Sequence, residues 1–60
     1  MARVSDARDR LVRTAMDLLA SRSYAEVGVQ ELCDCAGVRK GSFYHFFPSK
    51  RDLALEALEE

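Results

Sequence analysis

Residues Ala36 to Lys50 read AGVRKGSFYHFFPSK. Gly37 closes an apolar stripe of Val29, Leu32, Cys33 and Ala36, spaced i, i+3, i+4 and i+7, which is one face of a helix. Glycine accepts the left-handed conformation in which helices often end, so the chain is expected to turn there. Beyond it, Phe43 and Phe47 stand four residues apart and place two rings on one side of a third helix, over about residues 39–46, with Val38 as a further apolar contact. Gly41 inside that helix costs up to about 1 kcal/mol relative to alanine. Close approach of the backbone to something explains it better than stability does. Pro48 ends the helix, and Ser49-Lys50-Arg51-Asp52 reads as a new capping box with Ser49 at the N-cap and Asp52 at N3.

Outward from this stretch, the rest is also helical. Upstream, Gly28 is a plausible N-cap for the second helix, and Glu31 stands where a capping-box carboxylate belongs. Leu11, Ala15, Leu18 and Leu19 form an earlier stripe, with Val12 and Met16 on its flank, predicting a first helix over about 6–21 capped by Ser5 or Asp6. Tyr24-Ala25-Glu26-Val27 is a short connector. Leu53, Leu55, Ala57 and Leu58 begin a fourth helix that is still running at Glu59-Glu60. The fold class expected is all-α, a three-helix helix-turn-helix (homeodomain-like) domain over residues 6–60 plus the start of a fourth helix, with the motif itself at about 28–47.

Composition narrows the function. Hydrophobic residues at 48% and charged residues at 32% suit a folded piece rather than a disordered tail. Sixty residues remove only roughly 60% of the unfolded surface from water, so the stability margin is thin. No apolar run approaches the ~20 residues of a membrane span, and the amino terminus lacks a secretory apolar stretch. Cys33 and Cys35 are too few for a disulfide framework. Standing two apart on a helix, they point in nearly opposite directions, which disfavours a shared metal; Cys33 is expected buried and Cys35 partly exposed. There is no paired carboxylate, nucleophile with its base, or phosphate-binding glycine loop, so no catalytic residue, metal or cofactor is expected. A cytoplasmic binding module is.

The formal net charge of −1 argues against nucleic acid until the chain is divided. Residues 1–13 carry +2, 14–36 carry −3, 37–51 carry +4 and 52–60 carry −4. A phosphate backbone responds to potential within a Debye length, ~8–10 Å, and not to the total. Residues 37–51, with Arg39, Lys40, Lys50 and Arg51 and no acid, form the acid-free basic block.

The stretch 36–50 resembles the DNA-binding domain of the TetR family of bacterial transcriptional regulators, where a run similar to AGVSKGTLYHHFPSK spans the turn, the recognition helix and the start of helix four. Arg8-Asp9-Arg10-Leu11-Val12 with Ala15 and Leu19 is similar to the family's first helix, and Tyr24 to the aromatic after it. The resemblance implies that the third helix enters the major groove and that Gln30, Arg39, Lys40, Gly41, Ser42, Tyr44, His45 and Lys50 face DNA. Lys40 can donate to guanine O6 or N7, the hydroxyls of Ser42 and Tyr44 can reach phosphate, and Gly41 keeps the approach clear. Lys50 adds a cation beside the exposed N–H groups of helix four, a phosphate clamp. Arg3 and Arg8 can supply a flexible basic arm. The family usually has Thr near 27 and Ser or Thr near 28, where this chain has Val27 and Gly28. It often has Ser as the N-cap of helix three, where Arg39 stands, and His or Tyr at the position of Phe46.

The resemblance further implies a homodimer on a near-palindromic double-stranded operator, most often as a repressor, and a carboxy-terminal domain that dimerises and binds a small-molecule inducer. The competing reading is a small helical protein-interaction module that keeps the fold without binding DNA. His45 could equally be a surface residue, Tyr44 a plain helix-surface tyrosine, and the acids of helix four a solvated face.

Overall fold

The computed structural model of the chain describes residues 6–59. Among these described residues four helices, α1 (Asp6–Ser21), α2 (Val29–Ala36), α3 (Lys40–Phe46) and α4 (Lys50–Glu59), follow one another, with a 3₁₀ turn at Tyr24–Glu26 between the first two. The expected bounds of the first three helices agree with these to within a residue. Ser5, named as one candidate cap, and Arg3 lie outside the described residues.

Each element begins and ends for a local reason. Asp6 and Asp9 sit in the first turn of α1, where the helix dipole favours carboxylates. Ser21 closes the helix by returning its hydroxyl to the carbonyls of Asp17 and Leu18, at 3.4 Å each. Ser23 starts the 3₁₀ turn, and its backbone N–H donates to Glu26 Oε1 at 3.3 Å, a Ser-x-x-Glu box that the sequence reading passed over. The box expected at Gly28 and Glu31 does not form. Gly28 has no side chain to complete it, and the Glu31 carboxylate turns back to the Arg22 guanidinium instead.

Gly37 makes the corner with φ of 70° and ψ of 36°, the left-handed region. Its N–H donates to Asp34 O at 3.3 Å, and Val38 N–H donates to Cys33 O at 2.9 Å, the Schellman arrangement. Phe47, extended at φ −133° and followed by Pro48, takes the chain out of α3. Ser49 then heads α4, with the Asp52 N–H 3.4 Å from its hydroxyl and the hydroxyl 2.9 Å from Asp52 Oδ2.

The helices share one core. α1 lies against all three others, burying Leu11, Val12 and Ala15 from its own stripe. Leu32, Cys33 and Ala36 come from α2, Leu53 and Ala57 from α4, and Phe43 with Phe47 from the third helix and its end. Val27, where the family usually has a hydroxyl, is also core, 1% exposed. Met16 is the exception among the residues assigned to the α1 stripe, standing exposed on its flank.

Phe43 is fully buried. Truncating a buried phenylalanine costs about 3–5 kcal/mol, comparable with the whole stability of a domain this small. Phe43→Ala is therefore expected to abolish the cooperative thermal transition seen by circular dichroism, whereas Phe43→Leu retains one at lower temperature. An intact transition in Phe43→Ala would remove this ring from the centre of the core.

Candidate nucleic-acid interface

Helical rotation fixes what α3 presents. With Phe43 inward and 100° per residue, Gly41 and His45 occupy the middle of the opposite arc, and Ser42 and Tyr44 its flanks. All four are exposed, as are Arg39 and Lys40. Lys40 lies three residues before Phe43, in the first turn of α3.

Arg39 is the N-cap of α3, at φ −81° and ψ 155°. It lends the helix its carbonyl, which accepts from Phe43 N–H at 3.0 Å, and no side-chain cap. The guanidinium is thereby left to solvent. Among the described residues neither Arg39 nor Lys40 makes an ion pair.

Rings meet along this short helix. Tyr44 meets Phe43 edge-on, with centroids 5.0 Å apart, while half of its surface stays accessible at 51%. His45 meets the half-buried Phe46 in the same manner at 4.9 Å. Such pairs hold the aromatic polar tips outward on a fixed base. A Cβ at Gly41 would meet nothing within 4 Å, so no contact inside the protein demands glycine there.

The other two candidate residues stand off α3. Gln30, the second residue of α2, is exposed, and its Nε2 donates to Asp34 Oδ1 at 2.9 Å. Lys50 opens α4 and is half-buried. Its ammonium donates to Val27 O at 2.7 Å and Tyr24 O at 3.1 Å, and lies 4.3 Å from the centre of the Tyr24 ring. Of three ammonium hydrogens, two are thus engaged with the connector before α2 and one is left over. The sequence reading gave Lys50 only an outward role. The partners lie 23 and 26 residues away, beyond any local pattern.

Arg8 is not part of a flexible arm. It sits on α1, 2.8 Å from Glu56 of α4 and 5.3 Å from the centre of the Phe47 ring, tying α1 and α4 to the end of α3. The acids of α4 are thus only partly a solvated face. Arg22, just beyond α1, reaches Glu31 and also donates to Glu26 O at 3.0 Å. The Glu31 hydrogen bond raises the Arg22 pKa further, so the guanidinium stays charged. Cys33 is buried and Cys35 exposed. Burial first, with the Asp34 charge as a lesser cause, pushes the Cys33 thiol up, which keeps it protonated and unreactive.

This arrangement, a rigid short helix with cations, hydroxyls and an open backbone outward, coincides with a family match. Residues 11–57 fit the model of bacterial regulatory proteins of the tetR family. The chain belongs to the TetR family. It carries that family's amino-terminal DNA-binding module, and curated TetR-type relatives are similar over most of it. It is 42% identical to the transcriptional regulator AcuR of Cereibacter sphaeroides over 53 residues, 88% of this chain and 24% of the relative. It is 41% identical to the transcriptional repressor NemR of Escherichia coli over 54 residues, 90% of this chain and 27% of the relative. With the repressor KstR2 of Mycolicibacterium smegmatis the identity is 36% over 53 residues, 88% and 26%. The chain therefore spans about a quarter of the length of these relatives. No solved structure matched it. Among the described residues no helix is long and apolar enough to cross a membrane.

The Lys50 contacts are worth on the order of 1–2 kcal/mol together in this half-exposed setting. Lys50→Met should lower the thermal midpoint by several degrees even without DNA. An unchanged midpoint would show that the ammonium does not brace the connector.

Proposed function

We propose that the chain reads one half-site of a near-palindromic operator, with α3 in the major groove, as part of a homodimeric cytoplasmic regulator that most often represses and has no enzymatic activity. The observation that carries this reading is the exposed surface of α3: hydroxyls and a bare backbone position on the arc opposite the buried rings, two exposed cations at the head of the helix, and no acid between residues 37 and 51. Lys40 donates to a base edge, Ser42 and Tyr44 to phosphate oxygens, and His45 lies at the middle of the contact. Arg39 supplies charge where the family usually has a capping hydroxyl. Gln30 approaches from α2, and Lys50 offers its remaining N–H to a phosphate while its other two hold the connector.

Dimerisation and a small-molecule inducer belong, on this reading, to a carboxy-terminal domain beyond residues 6–60. Two observations support it. The relatives are about four times as long as the matched stretch. Met16 and Leu58 also stay exposed where α1 and α4 lie together, forming an apolar groove with Leu19, Ala20 and Ala57. The inducer would act by changing the separation of the two reading helices, since a ligand shifts an equilibrium only by its differential affinity for the two states.

Anisotropy titration of selected operator duplex over a salt series tests the reading. Log affinity should fall linearly with log salt, by about 0.9 per phosphate contact. Lys40→Ala should cost on the order of 1–3 kcal/mol on the operator and relax preference at one position; an equal loss on every duplex would make it a backbone contact. A salt-insensitive failure to bind any duplex would instead favour the protein-interaction module.

Gly41 separates stability from recognition. Because a Cβ there meets open space, Gly41→Ala should stabilise the fold by up to about 1 kcal/mol. The same methyl group should weaken operator binding, because it stands at the middle of the arc. Binding that improves along with the melting temperature would show that the DNA backbone or bases do not come close at this position.

A further inference from the structure

The Gln30 side chain has a preferred orientation. Its Nε2 donates to Asp34 Oδ1, one helical turn further along α2, at 2.9 Å. A carboxylate accepts and does not donate, so this bond settles which end of the amide is held. The NH₂ end is fixed against Asp34, leaving the carbonyl oxygen and one N–H for an outside partner.

Helix stability does not account for the pair. An i, i+4 hydrogen bond on a helix surface is a small gain. Asp34 lies in the last turn of α2, two residues before its end at Ala36, where converging carbonyl dipoles oppose a carboxylate. The two effects are similar in size and opposite in sign. What remains is orientation.

We propose that Asp34 is a positioning residue that biases the base preference of Gln30 toward bases that display an amino donor in the major groove, adenine before cytosine. This rests on the DNA-reading function above. In the major groove adenine displays the N7 acceptor and the N6 amino donor side by side, which the remaining N–H and carbonyl of the tethered amide can meet together. Cytosine offers its N4 amino group alone and can form a single bond. Guanine displays two acceptors, N7 and O6, and the tethered carbonyl oxygen faces one of them. An untethered glutamine escapes that repulsion by presenting its NH₂ group instead; with Asp34 in place this escape costs the tether.

The experiment is selection from a duplex library with a randomised core by the complete protein, with sequencing of the bound pool. Gln30→Ala identifies the position in each half-site that Gln30 reads, by loss of preference there. Wild type should select adenine at that position, and Asp34→Ala should admit guanine about twofold more often there and nowhere else. Asp34→Asn, whose carbonyl still accepts from Gln30, should keep adenine. Adding Asp34→Ala to Gln30→Ala should change nothing further at that position. Thermal melting of Asp34→Ala is expected to match wild type, so a general loosening would be visible as such.

An unchanged preference in Asp34→Ala overturns the proposal. So does guanine admitted equally at several positions, no position altered by Gln30→Ala, or the same broadening in Asp34→Asn, which would assign the effect to charge. A wild-type protein that selects no sequence sinks the DNA-reading function itself, a result distinct from all of these.

Discussion

Phe43, seated against α1 with no accessible surface, determines where every side chain of α3 goes. A seven-residue helix has too few hydrogen bonds to persist on its own, so its existence and its rotation both come from packing. Once Phe43 and Phe47 are inside, with ring centroids 6.1 Å apart, the 100° step leaves Gly41 and His45 no direction but outward. The apolar anchor and the polar display are therefore one constraint seen from two sides. A change of register by one residue would bury Tyr44 or Ser42 and dismantle the basic face along with the core.

The charge pattern follows a similar division between inside and outside work. The acids flanking the basic block are largely engaged with partners of their own: Glu31 with Arg22, Glu56 with Arg8, and Asp52 with the Ser49 hydroxyl. These pairs are half-exposed, so each adds little stability. Their consequence is electrostatic. Acids satisfied elsewhere leave Arg39 and Lys40 as the unpaired charges at the head of α3, and a chain of net charge −1 keeps a locally positive reading face.

What was legible in the sequence is local. Gly37 announced its own left-handed turn, the i, i+4 rings announced the buried side of α3, and Ser49 with Asp52 announced the start of α4. Each signal involves residues within one or two helical turns. Failures of the reading have the opposite character. The hold of Lys50 on Tyr24 and Val27, and that of Arg8 on Glu56 and Phe47, join residues far apart in the chain, and no periodicity encodes them. Glu31 was misread because a correctly spaced carboxylate says nothing about a distant competitor, and Arg22 outbid the absent cap at Gly28. The Gln30–Asp34 pair and the Ser23–Glu26 box were within reach, being four and three residues apart; a search for apolar stripes overlooks polar pairs at the same spacing.

Two charges sit where their own helices disfavour them. Lys50 is at the amino end of α4, whose dipole repels a cation, and Asp34 is near the carboxyl end of α2, whose dipole repels an anion. In a chain with a thin stability margin, local rules broken without a packing reward point to sites shaped by something other than folding. Lys50 offsets its position by donating to two carbonyls that belong to the connector, not to α4, so its misplaced charge is converted into a tie between the start of α4 and the segment that launches α2. Asp34 offsets its own only by holding Gln30. Both bonds end at the amino-terminal side of α2, one at the backbone leading into it and one at the amide it presents. The segment that launches α2 is therefore held by the Lys50 ammonium as well as by the buried Val27, while the placement of α3 is governed by the rings alone.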